Sequence, residues 1–369
     1  MPSVSVERLP VQLFGLGRLG FDHLQIVFRT LASDEDRQDD WFVIEGVREQ
    51  QGPEAYLAVE GWQGGTTLSD ANGGLVGAEL EDKIGTRDSR GAHDIADGSA
   101  AISLWATLVS FAADIDAQAF PYIPAALPGS PLPTINSSSL VASLLHHAGV
   151  SVLDALPAGL RLSPGLATLL GTSGDDRLET ADGFTTLIGG AGDDVLSGSG
   201  TAPSVSKLYG GPGDDTLRWS RGVNVLHGGQ PGLAYADDGT DTVDYSGAGD
   251  IRIDALPPGV PHLEPDFIVT HDGGRDYLFS IEEILWDGAR DRVTLGDGVG
   301  LVAPTDAHPA PAPHHTSLQR LSTSEIACDP SLQTFVHPGL FDLGVPSALF
   351  ESDPFGGVTL SPFDILAGG

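Results

Sequence analysis

Apolar residues in the first part of the chain follow two kinds of spacing. Strand-like apolar runs come first, at 23–30, 41–47 and 55–68. Later, apolar residues recur every three or four positions, the spacing of an amphipathic helix, at 97–118 and 133–150. Strands followed by helices predict an α+β domain, which we place at residues 1–160.

Each predicted helix has an inward face and a boundary signal. Ser99 is the expected cap of the first helix, and Gly149 is expected to end the second. The inward faces combine large and small apolar side chains: Ile102, Trp105, Leu108, Val109 and Ala112 in the first helix, and Leu140, Val141, Leu144, Leu145 and Ala148 in the second.

From residue 171 the pattern changes to a nine-residue period. LIGGAGDDVLSG at 187–198 returns almost unaltered as LYGGPGDDTLRW at 208–219, and both fit Gly-Gly-x-Gly-x-Asp-x-apolar-x. The apolar position of this frame is occupied by Leu178, Leu187, Leu196, Leu208, Leu217, Leu226 and Val243. A short fixed period with one apolar residue per unit predicts a solenoid whose turns stack around a thin core.

The other positions of the repeat predict a calcium site. Consecutive glycines permit tight turns whose carbonyl oxygens converge, and the aspartate at the sixth position adds a charged oxygen. Calcium accepts six to eight such hard oxygen ligands in loose geometry. Without a cation, the stacked carboxylates would repel one another.

The degeneracy of the repeat indicates where calcium binds. Two nine-residue units make one coil, so units eighteen residues apart stack on the same edge, and only one edge collects aspartates at the sixth position. We expect two or three calcium ions there. The predicted ligands are the carboxylates of Asp176, Asp194, Asp215 and Asp241 and the backbone of Gly171, Ser173, Gly189, Ala191, Gly210, Pro212 and Gly228.

These motifs resemble the RTX (repeats-in-toxin) family, whose nonapeptides form a right-handed parallel β-roll. The resemblance implies a calcium-binding β-roll at 165–300, an all-β solenoid in which 276–298 is an apolar cap. It also implies a Pro/His-rich linker at 301–317 and a C-terminal type I secretion region at 318–369. Such proteins leave Gram-negative bacteria unfolded through the type I secretion machinery and fold on extracellular calcium.

Composition and charge agree with secretion and exclude several partners. Eighteen basic against 51 acidic residues give a net charge of −33, which argues against nucleic acid and anionic lipid as partners. The stretch 1–20 is a poor secretory signal, and we expect no membrane-spanning segment, because no apolar run approaches about 18 residues. Cys328 is the only cysteine, so the fold cannot depend on an intrachain disulfide.

Any activity is expected in the N-terminal domain. The sequence contains neither the HExxH motif of zinc proteases nor the GxSxG motif of lipases. Three serines, in INSSSL, begin the second predicted helix, where free N–H groups and the helix dipole stabilise an oxyanion. A histidine also opens a first-strand segment, in FDHLQIVF.

This arrangement resembles the permuted papain-like hydrolases and acyltransferases, in which a strand histidine precedes a nucleophile at a helix start. The resemblance implies Ser137 as nucleophile, His23 as base and Glu45 as the orienting residue. Serine replaces the usual cysteine and therefore needs a well-placed base. Asn and Ser are also ordinary helix caps, so the same residues fit a purely structural role.

Two functions therefore remain open for the N-terminal domain. One is a secreted hydrolase of amide or ester bonds that uses Ser137 and His23. The other is a non-enzymatic, adhesin-like surface protein that recognises a ligand. The distance between Ser137 Oγ and the His23 ring discriminates between them, because a nucleophile and its base must approach within about 3–4 Å.

Overall fold

A computed structural model of the chain describes most of the residues before position 287. The described ranges are 1–13, 17–29, 41–51, 54–63, 66–67, 91–124, 132–160, 163–180, 184–198, 204–231, 239–255, 265–286, 291–295, 301–302 and 317–320. The expected linker and secretion region, together with Cys328, therefore lie almost entirely outside the described residues.

The N-terminal region is rich in sheet. Its strands are β1 (Ser3–Leu13), β2 (Gly17–Arg29), β3 (Trp41–Gln51), β4 (Glu54–Gln63), β5 (Thr66–Thr67) and β6 (Ala92–Asp97). They form one antiparallel sheet in the order β5-β4-β3-β2-β1-β6. Within the described residues, the helices that follow are α1 (Gly98–Ala117), α2 (Ser137–His147) and α3 (Val152–Ala155). The predicted strands 23–30, 41–47 and 55–68 correspond to β2, β3 and β4–β5, except for residues 30, 64, 65 and 68, which lie outside the described ranges. Strands β1 and β6 have no counterpart in the prediction.

The two faces of this sheet differ in character. Alternate residues of the central strands face the helices and belong to the main hydrophobic core: Val4, Val6, Leu24, Ile26, Phe28, Ile44, Leu57 and Val59. Phe28 stacks on Trp105 of α1 with ring centroids 5.5 Å apart. The residues in between are also buried but include polar and charged side chains: Ser5, Glu7, Gln25, Arg29 and Glu45. Because strand side chains alternate, these lie on the opposite face.

Helix α1 packs through most of its predicted face: Leu108 and Ala112 are buried, and Trp105 and Val109 pack, partly buried, against the core. Its buried residues are Ala101, Leu108, Ala112 and Ile115, whereas Ile102 is 55% exposed. The expected cap is also displaced, because Asp97 is the N-cap residue and its side chain makes no capping hydrogen bond. Among the described helices, α1 is long and apolar enough to cross a membrane by length and composition alone, with a mean hydropathy of 1.4. It contacts β1, β4, β6 and α2, which bury part of its surface.

The repeat region forms two parallel sheets to which successive strands contribute alternately. One contains β8 (Arg177–Glu179), β10 (Val195–Ser197), β12 (Thr216–Arg218), β14 (Thr242–Asp244) and β18 (Glu283–Trp286). The other contains β7 (Thr168–Leu170), β9 (Thr186–Ile188), β11 (Ser204–Tyr209), β13 (Gly222–His227) and β17 (Gly274–Phe279). Their apolar repeat positions pair directly, as in Leu178–Leu196–Leu217–Val243 and Leu187–Leu208–Leu226. These seven side chains are 0–5% exposed.

Additional strands extend both sheets beyond the nine-residue repeats. They are β15 (Ile251–Ala255), β16 (Phe267–His271), β19 (Asp291–Leu295), β20 (Leu301–Val302) and β21 (Ser317–Arg320). The tract expected to cap the repeats, 276–298, begins within β17, which continues one parallel sheet, and β18 continues the other. Antiparallel pairing starts on either side of this coil, between β16 and β17 and between β18 and β19.

Helix α2 covers the first strand of the repeat region. The Ser143 hydroxyl accepts a 2.8 Å hydrogen bond from the Leu170 N–H, and His147 Nε2 donates a 2.8 Å bond to the Leu170 carbonyl. Leu170 belongs to β7, which is the terminal strand of its sheet. A terminal strand presents unpaired backbone groups, so these two side chains complete its hydrogen bonding.

Candidate metal centre

The aspartates of the repeat form a ladder along one edge of the parallel sheets. The backbone N–H of each donates to the carboxylate of the next: Asp176 to Asp194 Oδ1 (2.7 Å), Asp194 to Asp215 Oδ1 (2.8 Å), and Asp215 to Asp241 Oδ1 (3.0 Å). The Asp241 N–H donates to Glu282 Oε2 at 2.8 Å. Four predicted carboxylates are thus brought into one row, and a fifth acidic residue ends it.

The second carboxylate oxygen of the central aspartates has no hydrogen-bond partner. Asp194 and Asp215 are each 1% exposed, and the Oδ2 atom of each is buried without a hydrogen bond. A buried charge without compensation is strongly destabilising. These two oxygens therefore need a bound proton or a bound cation.

The environment raises the pKa of both carboxyl groups. The pKa of Asp194 is raised to about 7, chiefly by burial and further by the charges of Asp176, Asp175 and Asp193. The pKa of Asp215 is raised to about 9, again chiefly by burial and then by the charges of Asp241 and Asp194. Burial and like charges thus disfavour the ionised form when no cation is bound.

Glycines create the space beside each carboxylate. A Cβ atom at Gly189 would overlap Asp194 Oδ2 and approach the carbonyl of Gly210. A Cβ atom at Gly210 would overlap Asp215 Oδ2 and the carbonyl of Gly228. The same relationship recurs at Gly228, which lies against Asp241 Oδ2 and the carbonyl of Ser280. Beside each of these three glycines, a carboxylate oxygen and a carbonyl oxygen therefore lie close together. This combination of oxygen ligands suits calcium.

The predicted backbone ligands also make hydrogen bonds between coils. The carbonyls of Gly210 and Gly228 accept from the N–H groups of Gly190 (3.1 Å) and Gly211 (2.9 Å). The Pro212 carbonyl accepts from the Gly192 N–H at 3.0 Å. A carbonyl oxygen has two lone pairs, so each keeps one for a cation.

Side chains alone do not define the centre. Within the described ranges, no group of three or more His, Cys, Asp or Glu side chains is arranged to hold a metal ion. Each ion would therefore be held by one or two carboxylates together with backbone carbonyls. Calcium uses such mixed oxygen sets, whereas zinc relies mainly on side chains.

The first loop differs from the later ones. Asp176 Oδ2 accepts hydrogen bonds from the N–H of Thr172 (2.5 Å) and from its hydroxyl (3.0 Å). Glycines 190 and 211 occupy the corresponding position in the next two loops and bring no such hydroxyl. The carboxylate of the first loop is therefore satisfied by a side chain of its own loop.

A side-chain network closes the opposite edge of the sheets. Asp276 is fully buried and accepts hydrogen bonds from Asn224 Nδ2 (2.6 Å) and the Tyr245 hydroxyl (2.8 Å). Asn224 is held in turn by Ser220, and His271 Nε2 lies 3.3 Å from Asp276 Oδ1. Polar side chains thus occupy the edge on which the repeat lacks its sixth-position aspartate.

The predicted base and orienting residue meet in the N-terminal sheet. His23 Nε2 and Glu45 Oε2 are 3.1 Å apart, with side chains that are 25% and 4% exposed. The Glu45 carboxylate therefore fixes the orientation of the imidazole ring.

Ser137 lies on the other side of that sheet. It begins α2, and its Cα is 3.0 Å from the position of a Cβ at Gly46, next to Leu140 and Leu57. Gly46 follows Glu45 in a regular strand, so the two residues face opposite ways. His23 likewise faces away from Leu24, which belongs to the helix-facing core. The structure thus brings His23 and Glu45 together and does not bring Ser137 to them.

The neighbouring residues of INSSSL have structural roles. Asn136 caps α2, since its Oδ1 accepts a hydrogen bond from the Ser138 N–H (2.8 Å). The Ser139 hydroxyl accepts a 2.7 Å hydrogen bond from the Asn136 N–H, which completes a capping box. The Ser138 hydroxyl bonds to Ser163 Oγ at 2.7 Å. Among the described residues, the Ser137 hydroxyl has no hydrogen-bond partner. Most of this motif is therefore a helix start.

Three residues that contact the aspartate row or its loops are missing from the sequence-based prediction. Glu282 continues the ladder, and its signal is the shared acidic-x-apolar spacing of Asp241–Val243 and Glu282–Ile284. Asp114 and Gln118 reach the first two loops from α1. No sequence signal identifies these two, because their partners are more than fifty residues away along the chain.

Comparison with family models, with curated proteins and with solved structures found no match to this chain.

Proposed function

We propose that residues 165–300 form a calcium-binding β-roll that becomes stable when calcium neutralises its stacked aspartates. The buried, unpaired Oδ2 atoms of Asp194 and Asp215 are the observation that carries this proposal. Calcium would supply the missing charge there and draw on the glycine carbonyls of adjacent coils. The parallel register of the repeat leucines supports the same arrangement.

The protein would then belong to the secreted RTX type. Calcium is scarce inside cells and abundant outside, so a calcium-dependent roll stays unfolded during type I export and folds afterwards. The repeat motif and the net charge of −33 support an extracellular, calcium-rich setting. The type I secretion machinery is the proposed partner in export.

For the N-terminal region we favour ligand or surface binding over hydrolysis. The observation behind this choice is the placement of Ser137 and the His23–Glu45 pair on opposite faces of one sheet. A serine nucleophile needs its base within hydrogen-bond reach. The non-enzymatic alternative needs no such contact.

Calcium titration of the full chain tests the proposed roll. Calorimetry should give saturable binding of two or three ions, and circular dichroism should gain β-sheet signal over the same range. Magnesium is the matched control, because it prefers stricter octahedral geometry and more of its own water. Equal order in calcium and in chelator would overturn the proposal.

A further inference from the structure

Helix α1 is attached directly to the first two loops of the repeat. Asp114 accepts two hydrogen bonds from Ser173, one from its N–H (2.8 Å) and one from its hydroxyl (2.6 Å). Gln118 Nε2 donates to the Gly171 carbonyl at 3.1 Å, and its Oε1 accepts from the Ala191 N–H at 2.9 Å. One helix end therefore holds both the first and the second loop.

The close fit at Gln118 depends on a glycine. A Cβ atom at Gly190 would overlap Gln118 Oε1 and the Thr172 carbonyl. Gly190 also has a φ of +104°, which side-chain-bearing residues rarely adopt. The second loop is thus shaped to accept the glutamine between itself and the first loop.

The same helix end is also fixed to the N-terminal sheet. Asp116 Oδ1 accepts a 2.7 Å hydrogen bond from the Val59 N–H of β4. Ile115, between Asp114 and Asp116, is fully buried in the main core. Asp114 and Gln118 therefore project from a backbone whose position is set by the N-terminal region.

We propose that the end of α1 is a template for the calcium sites: Asp114 and Gln118 hold the first loop in its folded shape before calcium binds. This inference rests on the proposed calcium-dependent roll. Thr172 satisfies Asp176 within that loop, so none of these contacts requires an ion. The loops of Asp194 and Asp215 have unpaired buried oxygens instead. Calcium-driven order therefore starts at the first loop and proceeds toward the later ones.

Hydrogen exchange of the full chain, followed by mass spectrometry across a calcium titration, tests the template. In chelator, amides of 168–180 should already be protected while those of 189–218 and 239–245 exchange rapidly. On addition of calcium, protection should reach 189–198 at lower concentrations than 239–245. The result that overturns the template is equally fast exchange of 168–180 and 239–245 in chelator, or protection that appears first at 239–245.

Substitutions separate the template from the calcium sites. Replacing both side chains, Asp114→Ala with Gln118→Ala, should remove the protection of 168–180 in chelator and raise the calcium midpoint of 189–198 about five- to tenfold, because four hydrogen bonds are lost. Ser173→Ala removes one bond at an exposed position and should raise that midpoint about twofold. Asp97→Asn, an exposed acid at the other end of α1 without a capping bond, is the control and should leave it unchanged.

Failure of this inference differs from failure of the proposed function. If calcium protects no segment of 189–245, the roll itself is refuted. If calcium protects these loops normally in the double variant, with an unchanged midpoint, only the template is refuted. Retained protection of α2 amides in the double variant shows that the N-terminal region is still folded.

Discussion

Asp194 Oδ1 accepts a 2.7 Å hydrogen bond from the N–H of Asp176, while Asp194 Oδ2 is buried with no hydrogen-bond partner. One oxygen thus joins two coils and the other faces the space left by Gly189. The same division holds at Asp215. As a consequence, each carboxylate joins neighbouring coils through one oxygen, while its other oxygen needs a bound proton or a bound cation.

Neutralising these carboxylates should have opposite effects with and without calcium. Asp194→Asn and Asp215→Asn keep an oxygen that can accept the backbone hydrogen bond but remove the charge. Calcium affinity should fall by about tenfold or more, because ligand charge tunes such sites. In chelator near neutral pH the same variants should unfold at higher temperature, because folding no longer has to protonate or bury a carboxylate. Calorimetry and thermal unfolding measure the two effects.

Asp193→Asn is the matched control for this prediction. Asp193 is adjacent to Asp194 but exposed, and its Oδ1 accepts only the 2.9 Å bond from the Asp214 N–H. The calcium affinity of the Asp193→Asn variant should stay within about twofold of that of the unsubstituted protein, because an exposed carboxylate contributes little. Equal losses at Asp193 and Asp194 would contradict the assignment of the inner row as ligands.

A methyl group at Gly210 should prevent calcium binding. Gly210→Ala would place a Cβ atom 2.1 Å from Asp215 Oδ2 and 2.2 Å from the carbonyl oxygen of Gly228. We expect loss of binding at that position and destabilisation of the calcium-loaded protein by more than about 2 kcal/mol. Gly174→Ala has open space around its Cβ and should change stability by less than about 0.5 kcal/mol. Similar denaturation midpoints for the two variants would argue against a calcium site beside Gly210.

The stability of the repeat region should respond to pH in opposite directions with and without calcium. The folded-state pKa values of Asp194 and Asp215, about 7 and about 9, lie above that of an unfolded aspartate, about 3.9. Their contribution in calcium-free protein is therefore full below about pH 4 and is lost as the pH rises through 7 and 9. With calcium, protons compete for the same oxygens, so stability should fall as the pH is lowered.

Thermal unfolding at about pH 5 and about pH 8, in calcium-depleted and calcium-saturated protein, checks this reversal. Calcium-depleted protein should be more stable at the lower pH, and calcium-saturated protein at the higher pH. Asp215→Asn should reduce the pH dependence of the calcium-depleted form. A calcium-depleted form that becomes more stable as the pH rises would contradict the pKa directions.

The sequence predicts the pairing of the repeat strands because its period is itself the structural constraint. Leu178, Leu196 and Leu217 have to pair if two units make one coil, and the aspartates two residues before them then form a row. No periodicity relates α1 to the loops, so Asp114 and Gln118 become visible only in three dimensions. The buried face of α1 is likewise predicted only in part from the sequence, since Ile102 fits the predicted face and yet is exposed.

The predicted catalytic residues illustrate a different limit. The motif places Ser137 at a helix start and His23 in a strand, and the structure has both in those elements. A motif does not specify which face of the sheet each side chain occupies, and a shift of one residue along a strand reverses it. His23 is one residue from Leu24, whose side chain does face the helices.

Double-mutant cycles should show whether side chains on the two faces of the N-terminal sheet interact with each other. Ser137→Ala and His23→Ala should destabilise the protein additively, with a coupling energy within about 0.5 kcal/mol, because the two side chains share no partner. His23→Ala and Glu45→Gln should couple by about 1 kcal/mol or more, because Glu45 is left buried without the imidazole. Urea denaturation of the four variants in each cycle measures these energies. A clear coupling between Ser137 and His23, accompanied by esterase activity that both single substitutions abolish, would restore the shared hydrolytic site and displace the binding function favoured here.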